Sequence, residues 1–180
     1  MLVLLAVAYV AAFIYTLVSS FRSASRIDVL EREVKALRAL TEEQAEVPRG
    51  PGKWCPKEEL GHLIDSASNN HLRFVGGAIG PEFHGAGYAQ DEWVRLHGYA
   101  GLPWGHIVNF WFEYNSLLSG LVENIPDEKL STQCFLSADP PVSLGFIIED
   151  YVMHMRHHID QLLRRDQVTQ YSGATRGRST

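Results

Sequence analysis

The stretch D-Y-V-M-H-M-R-H-H-I-D-Q-L-L at residues 150–163 places two imidazoles, His154 and His158, four positions apart. On an α-helix, positions i and i+4 project from one face a turn apart, so the two rings can grip a single ion. Across 142–164 the residues Leu144, Ile148, Val152, Met155, Ile159 and Leu163 keep mostly to one side. Asp150, His154, His157, His158, Gln161 and Arg165 form a polar stripe beside them. That is the pattern of a bundle helix. Two imidazoles do not close a metal shell, which takes three or four protein ligands, or three and a water. Nor is the pair a metalloprotease motif, because Met155 stands where H-E-x-x-H carries its general base. Spacing alone leaves a metal site and a solvent-facing histidine cluster equally open.

A third ligand has to come from another helix. Pro56 can start one without losing a needed N–H, and Glu58 and Glu59 put negative charge in its first turn, where the helix dipole favours it. The pattern predicts a helix from Pro56 to about Val75, stopped by Gly76 and Gly77. His62, Asp65, Ser66, Asn69 and Arg73 fall on one stripe, with Leu60, Leu63, Ile64, Ala67, Phe74 and Val75 largely opposite. A solvated face accounts for such a stripe. If instead it faces the stripe of the last helix across a crevice, His62 meets His154 and His158. Three neutral imidazoles suit Zn²⁺ or Ni²⁺ and leave a position for water or substrate. Asp65, one turn after His62, and Asp150, one turn before His154, are placed to accept ring N–H groups. His157 is turned by about 100° from His158 and suits a pocket wall. Asn69, Arg73 and Arg156 are further pocket candidates.

The remaining segments frame these two helices. Residues 1–18 carry no charge and are long enough for a slightly short membrane helix. Arg22 and Arg26 follow this run rather than precede it, which argues against a cleaved signal and favours a cytoplasmic main domain. We therefore expect an anchor at 1–20, a domain at 25–168 and a flexible tail at 169–180. Ile27, Leu30, Val34, Leu37 and Leu40 give a first amphipathic helix, and Pro48, Gly50, Pro51 and Gly52 break the chain after it. Residues 76–103 read as a long connection with one helical turn near Gln90, in which Tyr88, Asp91, Trp93, His97 and Tyr99 either close over a pocket or pin the loop. A third helix is expected from Trp104 to Asn124, with His106 and Glu113 as ordinary polar positions. A net charge of −5 gives no reason to expect nucleic acid. Cys55 and Cys134 form no C-x-x-C pattern and read as buried reduced thiols, although Cys55 lies where a helix start can activate one.

Residues 27–167 resemble the DinB-like superfamily of four-helix bundles. The resemblance rests on K-W-C-P-K-E-E-L-G-H-L-I-D-S at 53–66, N-N-H-L-R-F at 69–74, D-E-W at 91–93 and D-Y-V-M-H-M-R-H-H at 150–158. It implies an all-α bundle with a long crossover and a divalent metal on His62, His154 and His158, the three chosen by spacing. It also implies frequent homodimers, small-molecule substrates and an activity of metal-dependent hydrolase or S-transferase type, with a low-molecular-weight thiol as co-substrate in some members. A tethered scaffold whose metal only braces the helices, or is absent, is the competing reading. The apolar run at 1–18 is no part of that family pattern. Alkaline carbonate extraction checks it: an anchored chain stays in the membrane pellet, whereas release of the full-length protein removes the anchor.

Overall fold

A computed structural model describes residues 26–136 and 140–171 of the chain. The expected anchor at 1–20 lies outside these residues. Among the described residues no helix is long and apolar enough to cross a membrane.

Four long helices carry the fold: α1 (Arg26–Arg38), α3 (Pro56–Ile79), α5 (Trp104–Glu123) and α6 (Leu144–Leu162). A single turn, α2 (Glu42–Ala45), follows α1, and the short helix α4 (Gln90–His97) lies within the α3–α5 crossover. Helix α3 is the centre of the bundle and packs on both α5 and α6, while α1 packs on α5. Local chemistry sets the helix starts. Pro56 opens α3, and the Glu58 carboxylate accepts the Cys55 N–H at 2.9 Å. Ser143 Oγ accepts the Phe146 N–H at the start of α6, so each side chain satisfies an N–H that the helix leaves without a partner.

The apolar faces form two clusters. Leu37, Leu60, Leu63, Val108, Trp111 and Ile159 belong to one, and Phe74, Leu118, Val122, Leu144, Ile148 and Tyr151 to the other. Along α3 the change from the first cluster to the second falls between Ile64 and Ala67, and along α6 between Met155 and Val152. Ser66 and His154 lie at this level and His62 one turn from Ser66, so the polar stripes of the two helices meet near the seam between two apolar layers.

Two expectations need correction. The domain is not purely helical: β1 (Glu82–Gly85) pairs in parallel with β2 (Gln133–Leu136), which pairs antiparallel with β3 (Val142–Ser143). Strands of two to four residues are too short for an alternating pattern to register. In addition, α3 does not stop at Gly76 and Gly77 but runs on to Ile79. Gly76 is there for space, since a Cβ on it would lie 2.3 Å from the Phe83 ring of β1. Bundle packing outweighs the helix cost of glycine, about 1 kcal/mol. Asp160 accepts Arg165 Nη1 at 2.7 Å, Thr169 N at 2.9 Å and Thr169 Oγ1 at 2.6 Å, which ties residues 165–171 back onto α6. Of the tail expected at 169–180, residues 169–171 are held in this way, and the remainder lies outside the described residues.

Gly61 marks a close approach between α3 and the crossover, because a Cβ there would stand 2.2 Å from the Tyr99 ring. Gly61→Ala is expected to destabilise the protein by about 1–3 kcal/mol through overpacking. Gly120→Ala, with nothing within 4 Å of the new methyl, should instead stabilise it by up to about 1 kcal/mol. Urea unfolding of both variants measures the contrast.

Candidate metal centre

His62, in the second turn of α3, has no exposed surface, and His154 on α6 is 8% exposed. His158 lies one turn further along α6 and is half-buried. His62 Nε2 and His154 Nε2 are 3.1 Å apart, and one nitrogen from each of the three rings lies within 4.8 Å of the others. Zinc bonds of 2.0–2.1 Å at a tetrahedral angle set two nitrogens about 3.3 Å apart, so the first pair already has the separation of a shared cation. The two polar stripes therefore face each other, and the solvated-face reading of α3 does not hold.

The surroundings keep two of the rings, His62 and His154, neutral. Burial, assisted by the nearby His158, pulls the His62 pKa down to about 3. Burial and the neighbouring histidines push His154 well below the ordinary histidine value. A neutral ring keeps a lone pair for a cation, and hydrogen bonds select which nitrogen offers it. His158 Nδ1 lies 3.0 Å from Glu59 Oε1, and His154 Nδ1 lies 3.4 Å from Ser66 Oγ. With Nδ1–H donating in both rings, Nε2 is left bare toward the centre. His62 has no such clamp. Its Nδ1 is buried and meets no partner among the described residues, and the ring is held by packing, with Trp54 at 5.0 Å between centroids. A buried orphan nitrogen costs about 1–3 kcal/mol, which a cation at the opposite nitrogen offsets. The donor set fits a divalent metal.

The structure reassigns several side chains named from spacing. Asp65 does not serve the rings of the triad: its Oδ1 accepts the Tyr99 hydroxyl at 2.7 Å and lies 2.9 Å from His97 Nδ1. Burial raises its pKa, while Tyr99 and His97 oppose the rise. Asp65 thus pins the crossover, a role the loop aromatics made legible. Asp150 Oδ2 accepts the Tyr171 hydroxyl at 3.2 Å, so it too serves another partner. His157 leaves the site, with Nδ1 donating to the Thr169 carbonyl at 2.7 Å and Nε2 accepting from Gln161. Arg156 is exposed. Asn69 spends its amide on the Asp65 carbonyl, and its neighbour Asn70 faces the site instead. His106 and Glu113 are exposed, as expected of ordinary polar positions. Sequence reasoning missed Glu59, whose buried carboxylate holds both His158 and Arg49 Nη2, the latter at 2.9 Å. Its signal was its place one turn before His62 on the same face of α3.

Beside the triad is a cavity of about 200 Å³, reaching His154 and lined by Ser66, Asn70, Arg73, Tyr88, Asp150 and Tyr171 among others. Arg73, expected at a pocket from its place on the stripe, is on this wall.

The sequence profile of the DinB superfamily matches residues 28–162. The chain belongs to the DinB superfamily. YfiT from Bacillus subtilis, described as a probable metal-dependent hydrolase with an unusual four-helix bundle topology, has a similar structure. The TM-score is 0.67 at 22% identity, over 77% of this chain and 84% of that one. A histidine-to-alanine mutant of mycothiol-dependent maleylpyruvate isomerase aligns with a TM-score of 0.66 at 11% identity, over 81% of this chain and 60% of that one. The isomerase itself aligns at 0.62 and 12%, over 84% and 61%. This chain therefore spans about three-fifths of the isomerase chain. At these identities the likeness is one of fold. No curated protein matches the sequence.

If Glu59 orients His158, Glu59→Ala should weaken zinc binding by about 10–100-fold. Competition against a chromophoric chelator measures the affinity, and circular dichroism should show unchanged helix content.

Proposed function

We propose that this DinB-superfamily protein is a metal-dependent enzyme for a small-molecule substrate, with His62, His154 and His158 holding a divalent ion, zinc or nickel. The observation that supports this most is the pairing of three converging imidazoles, two of them buried, with an adjoining cavity: His154 belongs to both. A metal that only braced helices would need no such opening. When bound, a divalent cation lowers the pKa of a coordinated water or thiol and polarises an electrophile beside it.

The chain's own residues supply position and environment. Glu59 and Ser66 fix the orientation of His158 and His154, and the two apolar clusters exclude water from the far side of the site. Asp150 and the hydroxyls of Tyr88 and Tyr171 line the space in which a substrate would sit. Neither cysteine can act as a nucleophile readily, because Cys55 and Cys134 are buried and burial pushes both thiols up. Thiol chemistry at this centre would therefore draw on a free low-molecular-weight thiol, the co-substrate that the name of the similar isomerase contains. Hydrolysis would use water, in line with the description of YfiT.

Elemental analysis of tag-free protein should find about one zinc or nickel per chain, a stoichiometry set by three histidine ligands. His154→Ala should lose the metal and at least about a hundredfold of turnover with a thiol acceptor or an ester while remaining helical. A folded His154→Ala variant with undiminished turnover would sink the reading.

A further inference from the structure

The cavity beside the triad has a charge pattern of its own. Ser66, Asn70 and Arg73 stand one above another on α3, and the structure links them: Arg73 Nη1 donates to Asn70 Oδ1 at 3.3 Å, and Asn70 Nδ2 lies 3.4 Å from Ser66 Oγ. Ser66 Oγ in turn faces His154 Nδ1. A hydrogen-bonded line thus runs from a guanidinium to one of the triad histidines. Arg73 is half-buried, and its bond to Asn70 is the one hydrogen bond it makes among the described residues. A guanidinium carries five N–H donors in a planar fork, so most of Arg73's donors remain for a ligand. Withdrawing that charge from water is unfavourable unless an acceptor meets it; Asp150 offsets part of it without a hydrogen bond, and a ligand carboxylate matches the fork in two parallel bonds.

The other walls narrow the class. Ser66, Asn70, Tyr88 and Tyr171 present hydroxyls and an amide, which suit a polar ligand. At about 200 Å³ the space is below the ~300–1,000 Å³ of drug-sized sites. Asp150 lines the same space, and a carboxylate has about four lone-pair sites, enough to serve Tyr171 and still accept from a ligand. It opposes a dianion and favours a donor group.

Resting on the proposed metal centre only for the position of its reactive end, we infer that the cavity binds a small monocarboxylic acid bearing a hydroxyl or ammonium donor, with Arg73 on the carboxylate and Asp150 on the donor. The far end of the acid then lies at His154.

Ligand-observed NMR titration of the full-length, metal-free protein with L-lactate, propionate and lactamide tests this. Lactate should bind, propionate about threefold more weakly, and lactamide roughly tenfold more weakly still, since it lacks the charge that Arg73 reads. Arg73→Gln should lower lactate affinity roughly tenfold, and Arg73→Lys, which keeps the charge without the fork, by about threefold. Asp150→Asn should remove the preference for lactate over propionate. Equal binding of lactate and lactamide, failure of lactate to bind the wild type, or unchanged affinity in a folded Arg73→Gln variant would overturn the inference. Metal stoichiometry is read separately and should not change in Arg73→Gln, so failure of the metal reading and failure of this one remain distinct.

Discussion

Bringing three imidazoles into a space with little water is unfavourable unless they stay neutral and something occupies the point where they meet. Everything else near the middle of this bundle serves that condition. Two apolar clusters lie above and below it and shield His62 and His154. The shielding holds the rings unprotonated, and neutrality lets two nitrogens stand 3.1 Å apart without repulsion between charges. Neutrality and ligand competence thus come from one cause, the desolvation of the seam.

Charge is distributed around the seam with the same logic. Glu59 is buried, but the Arg49 guanidinium and His158 N–H both meet its Oε1. Lys57, also buried, is answered by Glu42 and Glu46, which reach it from α2 and its end. These ions sit at the α3 start, where the short α2 turn folds over the helix, and Glu42 additionally accepts the Trp104 N–H that opens α5. Buried pairs contribute little net stability, but losing one partner is costly. Their effect is to fix where α3 begins, and so which way His62 points.

The sequence made the helices and triad legible because both follow helical period. His154 and His158 are four residues apart, and an amphipathic pattern extends over each long helix, so the observed ends fall within a few residues of expectation. Other features depend on what packs against the helix, which periodicity does not encode. Asp65 and Glu59 flank His62 by one turn on either side. Only the packing of α6 and the crossover decides that Glu59 meets a histidine of the triad while Asp65 meets Tyr99 and His97. The same holds for Asn70 over Asn69. The strands were invisible because residues such as Phe83 and Cys134 sit in pairs of four-residue segments, too short to show a pattern. Gly76 reads in isolation as a stop signal, and only its contact with Phe83 shows it to be a gap cut for a ring.

The hold of Asp160 on Arg165 and Thr169 has a consequence for how this protein can diverge. Tyr171 forms a wall of the cavity, and part of what secures its segment converges on one carboxylate that does not line the cavity. Exchange at that position would loosen a partition that Asp150 and His157 still hold, without touching the ligating imidazoles. Selectivity can thus drift independently of reactivity, and a lineage could acquire new substrates by altering a latch remote from the chemistry.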